Sequence, residues 1–163
     1  MANAYDILKD RGFVEQVSDE PALRAALEQP ITFYIGYDPS APSLHVGNLL
    51  AIMGMAHMQR QGHRPIAVVG GGTGMIGDPS GRSKMRQMLT PETIQANAER
   101  LKEQIGRYVD SGEGQALMLN NAEWLLPLRY VDFLRDIGRH FSVNRMLAAE
   151  AYRSRMATGL SFL

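Results

Sequence analysis

The chain has no cysteine among its 163 residues. That excludes a disulfide framework, a thiolate zinc site and a cysteine nucleophile. It also lacks an excess of either charge, since Lys plus Arg and Asp plus Glu each number 17. Any nucleic-acid contact therefore has to come from a local patch and not from the global field. No apolar run approaches the ~18 residues of a membrane span. The start, Met1-Ala2-Asn3-Ala4-Tyr5-Asp6, carries neither the basic nor the apolar segment of a secretory signal. These absences together fit a cytoplasmic chain. Internal repeats, low-complexity tracts and an evident interdomain linker are missing too. What remains, 45% apolar and 21% charged, is the composition of an ordinary globular domain with a real core.

Residues 5–11 and 21–29 read as short helices, so 1–30 is expected to form an N-terminal helical arm, its first helix lying on the surface. Residues 31–37 are β-branched and aromatic and read as a strand. Val46, Leu49, Leu50 and Met53 recur at helical spacing, which predicts a helix to about Gln61, with Gly62 to end it. Residues 65–69 form a second strand, and 70–81 a loop. Thr90 is a candidate N-cap with Pro91 at the first helical position, opening a helix toward Tyr108 with a charged outer face. Residues 116–119 make a third strand, followed by helices over about 128–138 and 143–156. Strands alternating with helices argue for a parallel sheet with helical crossovers.

The chemistry gathers where the first two strands end. The first runs Tyr34-Ile35-Gly36-Tyr37-Asp38-Pro39-Ser40, and Leu44-His45-Val46-Gly47-Asn48 opens the next helix. The second runs into Gly70-Gly71-Gly72-Thr73-Gly74-Met75-Ile76-Gly77-Asp78-Pro79-Ser80-Gly81-Arg82. This order builds a nucleotide site at the ends of two adjacent strands. His45 and Asn48 sit one helical turn apart and face one ligand. The helix N-terminus beside them adds partial positive charge. The glycine run is not a Walker A loop, because no Gly-Lys-Ser/Thr follows at the required spacing. Its expected work is close backbone approach to a ligand.

Each piece alone has a plainer reading. Asp38-Pro39-Ser40 is an ordinary turn, Tyr34 a strand core residue, and Asp78 a turn residue before Pro79. Arg82, Lys84 and Arg86 read as solvated loop charges. His57 and His63 read as helix-end residues, and no spacing suggests a zinc site.

Taken together, from about residue 31 to 162, the motifs resemble those that open the catalytic domain of bacterial tyrosyl-tRNA synthetases, a family of class I aminoacyl-tRNA synthetases. The resemblance implies an α/β fold, a Rossmann-like parallel sheet with helices on both faces, truncated after about three strands. Residues 31–163 would be the first part of that catalytic domain. The implied activity is ATP-dependent activation of L-tyrosine and its transfer to tRNA(Tyr). ATP is a substrate accompanied by Mg2+, with no protein-bound metal.

By position, the resemblance implies an ATP site of Gly36, Asp38, Ser40, His45, Gly47 and Asn48, with adenine lying over Gly47. Arg82 and Arg86 would close on the pyrophosphate. Tyr34 would meet the phenol hydroxyl, Asp78 the ammonium, and Thr73 and Asn121 would flank the substrate. Asn48 stands where the family carries a second His, and its amide can donate from nearly the same place. Ile35 stands where some relatives have a Cys for the ribose, and it cannot donate. Trp124 is expected to be structural. The segment around His140, through Phe162, resembles one that leads into a homodimer interface.

The second lysine-rich class I motif is not found, since Gly81-Arg82-Ser83-Lys84-Met85 does not match it. Three strands are few, and the chain stops at Leu163. Both features predict a fragment that is inactive alone. Three other readings compete: a tryptophan-specific enzyme of the same architecture, a small His-x-Gly-His nucleotidyltransferase, and a non-catalytic piece that only binds or self-associates.

Overall fold

A computed structural model describes residues 3–76, 89–153, 156 and 159. Two short helices come first, α1 (Ala4–Asp10) and α2 (Glu20–Ala26). The Asn3 side chain caps α1 by accepting from the Tyr5 amide at 2.9 Å, and Asp19 caps α2 from Ala22 at 2.9 Å. α1 does not stand off as a surface arm. Ala4 and Tyr5 are buried in a small cluster with Leu27 and Met58.

Three parallel strands follow: β1 (Thr32–Tyr37), β2 (Arg64–Val69) and β3 (Leu117–Asn120), in the spatial order β1-β2-β3. α3 (Val46–Arg60) links the first pair and α4 (Pro91–Ile105) the second. Gly62, at φ +88°, turns the chain after α3 into β2, a conformation glycine adopts without a Cβ clash. Thr90 caps α4 by accepting from the Thr93 amide at 3.2 Å, with Pro91 in the first turn.

Both crossover helices pack on one face of the sheet. Ile52, Met55 and Ala56 from α3 and Ala98, Leu101 and Ile105 from α4 share a core with Tyr37, Ala67 and Val69. The reason is topological. Two right-handed crossovers stepping in the same direction must lay their helices on the same side. On the other face Tyr34 stands out 72% exposed. The two open ends of the order, β1 and β3, are sheet edges.

After β3 come α5 (Ala122–Leu125), α6 (Tyr130–Asp136), a 3-10 turn over Gly138–His140, α7 (Val143–Ala148) and α8 (Glu150–Arg153). The single helix expected over 143–156 is broken at Ala149, whose backbone is extended at φ −68°, ψ 140°. α5 was not expected. Trp124, expected to be structural, is half exposed.

Candidate active site

The loops that leave the three strands meet at the strands' C-terminal ends. Register aligns those ends, with Tyr37 opposite Val69 and Val69 opposite Asn120. The Gly70 amide donates to the Tyr37 carbonyl at 2.9 Å, and the Asn121 amide donates to the Val69 carbonyl at 2.9 Å. In parallel sheets this rim is where ligands bind.

The first loop carries Asp38, Ser40 and His45. Pro39 is buried, while Asp38, Ser40 and His45 are exposed at the rim. Alternation along β1 turns Thr32, Tyr34 and Gly36 to the open face and Phe33, Ile35 and Tyr37 to the helices. Ile35 therefore packs on the core and not at the rim. A Cβ at Gly36 would meet nothing within 4 Å, so that stretch of β1 backbone is open to a ligand.

His45 and Asn48 form a reciprocal cap on α3. The His45 Nδ1 accepts from the Gly47 amide at 3.0 Å, and the Asn48 Oδ1 accepts from the His45 amide at 3.2 Å. The consequence is chemical. With Nδ1 accepting, a neutral imidazole carries its proton on Nε2, and that N–H is free to donate. With Oδ1 engaged, Nδ2 is the group Asn48 can offer a ligand. A Cβ on Gly47 would sit 2.8 Å from the His45 Cε1, so glycine here makes room for the imidazole itself.

The second loop carries Thr73. Asn121, expected to flank the substrate, has its amide turned onto this loop. Its Oδ1 accepts from Gly72 at 2.7 Å and Thr73 at 3.4 Å, and its Nδ2 donates to the Thr73 Oγ1 at 3.0 Å. Asn120 Oδ1 accepts from the Ala122 amide at 3.0 Å, and its Nδ2 donates to Gln95 Oε1 at 3.3 Å. The glycines answer to this packing. A Cβ on Gly71 would strike the Asn120 amide, and one on Gly72 would sit 3.2 Å from Ala122 Cα and from the Asn121 Oδ1. Close approach is thus required by the protein's own rim, where a ligand was the expected cause.

Asp78, Arg82 and Arg86, with Lys84, lie outside the described residues, as does Phe162. Among the described residues no group of three His, Asp or Glu side chains is placed to hold a metal.

Two further residues contact the first loop and were missed in the sequence. Asn97 donates from Nδ2 to the Pro39 carbonyl at 3.0 Å, and Gln104 bonds Pro42 and Leu44. Asn97 carried a readable signal. It is a polar residue in the apolar stripe of Ile94, Ala98, Leu101 and Ile105, and it is only 4% exposed.

Comparison with known proteins adds the following. The family model described as tRNA synthetases class I (W and Y) matches residues 26–163. The chain is 60% identical over its whole length to a tyrosine–tRNA ligase of Fusobacterium nucleatum and covers 40% of that protein. It is 56% identical to the Syntrophus aciditrophicus ligase, of which it covers 38%. The chain thus spans about 40% of the length of such curated relatives. Among solved structures, a C-terminally truncated mitochondrial tyrosyl-tRNA synthetase of Aspergillus nidulans superposes with a TM-score of 0.85 at 29% identity. That match covers 99% of this chain and 50% of the other. An Archaeoglobus fulgidus tyrosyl-tRNA synthetase, at TM-score 0.60 and 21% identity, shares the fold.

Proposed function

We propose, from the premise that this chain belongs to the class I tRNA synthetases of the tryptophan and tyrosine group, that it is the first part of the catalytic domain of a tyrosine–tRNA ligase. The reaction is attack of the tyrosine carboxylate on the α-phosphorus of ATP, forming tyrosyl-adenylate and expelling pyrophosphate. A hydroxyl at the 3′ end of tRNA(Tyr) then takes the aminoacyl group as an ester, and AMP leaves. The carboxylate is already a nucleophile, so no general base is required. The rate comes from positioning and from donors aimed at charge that grows on the phosphates.

The observation that carries this reading is the reciprocal cap. It leaves the His45 Nε2–H and the Asn48 Nδ2 available at the α3 N-terminus, at the end of the loop that carries Ser40. Donors placed there would strengthen as negative charge builds, which is differential binding of the transition state. ATP would lie along the open backbone of Gly36 with Asp38 at the rim, and its adenine over Gly47. Mg2+ would arrive on the triphosphate as part of the substrate.

Tyr34, exposed on the open face of β1, would meet the phenol hydroxyl. Asp78 would take the ammonium, and Arg82 and Arg86 the leaving pyrophosphate. Thr73 is the substrate-facing member of the glycine loop, with Asn121 holding it. Residues 1–30 would be a docked arm and 31–163 the start of the catalytic domain. A cytoplasmic setting suits a translation enzyme, and no described helix is long and apolar enough to cross a membrane. A homodimer through 140–162 is supported by exposed Phe141 and Val143.

The test is exchange of labelled pyrophosphate into ATP, on this chain and on one extended to the length of its curated relatives. Exchange in the extended chain with tyrosine, and not with phenylalanine or tryptophan, is the expected result. Exchange with tryptophan would transfer the reading to the tryptophan enzyme. Exchange with neither would overturn it.

A further inference from the structure

We propose that Asn97 and Gln104 are positioning residues for ATP. Through them α4 fixes, at two points, the loop that carries Ser40 and His45. This rests on the reading of that loop as the ATP site.

The two anchors bracket the loop. Asn97, 4% exposed, donates from Nδ2 to the carbonyl of Pro39, the residue just before Ser40, at 3.0 Å. Gln104 grips the far end. Its Oε1 accepts from the amide of Leu44, the residue just before His45, at 3.1 Å, and from Ser43 Oγ at 3.5 Å. Its Nε2 donates to the Pro42 carbonyl at 3.3 Å and to the Arg100 carbonyl at 3.2 Å. Both amide orientations are dictated by their partners, because a carbonyl can only accept and a backbone N–H can only donate.

The spacing on α4 makes this a gauge. Residues 97 and 104 are seven apart, two turns on one face, and the rigid helix holds them roughly 10 Å apart along its axis. The loop they grip has no regular structure of its own. Asn97 also costs something where it stands. Its neighbours in that stripe are apolar, and a buried amide is tolerated only when hydrogen-bonded. Its polarity therefore answers to the Pro39 carbonyl. The tyrosine side of the site rests on other side chains than Asn97 and Gln104: Thr73 is bonded by Asn121, and Gly71 packs against the Asn120 amide.

That separation gives the test. In the extended chain, Asn97→Leu and Gln104→Met should each lower kcat/KM for ATP in pyrophosphate exchange by roughly tenfold or more, since small misplacements of catalytic groups are costly. KM for tyrosine should stay as in wild type. Gln104→Glu keeps an acceptor for the Leu44 amide and should recover part of the loss. Asn97→Leu combined with Ser40→Ala should cost less than the sum of the two, because one acts through the other. Amide hydrogen exchange at Leu44 should quicken in Gln104→Met while Val69 stays protected.

A lowered Tm with ATP kinetics intact, or equal damage to the tyrosine KM, would overturn the proposal. So would an unchanged Leu44 amide. If the wild-type extended chain shows no tyrosine-dependent exchange, the proposed function falls. The Leu44 amide then still decides whether α4 fixes the loop.

Discussion

An added methyl group at Gly71 and one at Gly36 should have opposite effects on stability, and the geometry gives both magnitudes. At Gly71 the new Cβ would sit 2.8 Å from the Asn120 Nδ2 and 2.9 Å from its Cγ, and nearer still to Oδ1. The amide would have to swing away. Asn120 is 3% exposed and holds the Ala122 amide and Gln95, so the move breaks buried hydrogen bonds. Overpacking costs about 1–3 kcal/mol, and a buried group left unpaired about 1–3 kcal/mol more. The stiffer unfolded chain returns about 0.4–1 kcal/mol.

Gly71→Ala should therefore lose about 1–5 kcal/mol. At Gly36 the Cβ enters open space. There the lower entropy of the unfolded chain should add about 0.5–1 kcal/mol. Urea unfolding reads both, as midpoint shifts at constant slope. In the same Gly36→Ala protein ATP should bind more weakly, because the proposed ATP position runs along that backbone. A Gly71→Ala protein as stable as wild type, or equal shifts for the two variants, would refute the packing argument.

Other outcomes are equally specific. Tyr37 is 3% exposed, its hydroxyl has no partner among the described residues, and burial pushes its pKa up to about 12. Tyr37→Phe should thus gain about 1 kcal/mol in thermal or urea unfolding, and a loss of that size would reveal a hidden partner. His63 is buried, its Nδ1 accepts from the Ile31 amide at 3.3 Å, and burial lowers its pKa. Below the unfolded value of ~6.5 the unfolded chain binds a proton that the folded one refuses, so stability should fall as pH drops from 6.5. His57, lowered by burial and by Arg11 and Arg60, adds in the same direction. A His63→Gln protein with an unflattened slope would contradict the assignment. Asn48→Asp keeps an acceptor for the His45 amide and suits the helix N-terminus, so stability should hold or rise by about 0.3–1 kcal/mol. Losing the Nδ2 donor should slow tyrosyl-adenylate formation by about 10²-fold, and an unchanged rate would remove Asn48 from the site.

The elements that position the site were legible because their signals are local. The alternation and β-branching of β1 and β2, the spacing of Val46 to Met53, and the Thr90-Pro91 start all depend on neighbours within a turn. The one-turn spacing of His45 and Asn48 is local in the same way, though their reciprocal cap was not expected. What escaped depends on distant partners. Asn97 meets Pro39 across 58 residues and Asn121 meets Thr73 across 48; a local window marks Asn97 as polar within an apolar stripe but names neither partner. That α3 and α4 share one face follows from strand order, which spacing alone does not give. The break at Ala149 has no glycine or proline to mark it, and Trp124 takes a half-exposed place that its size argues against.

The most direct test of the central claim is single-turnover formation of tyrosyl-adenylate in the extended chain, wild type beside His45→Ala, with tyrosine affinity measured on both. If the rim of β1 and β2 activates tyrosine through donors that tighten in the transition state, the rate falls about 10²-fold while tyrosine affinity stays put. An unchanged rate, or tyrosine affinity lost in step with it, would contradict the account.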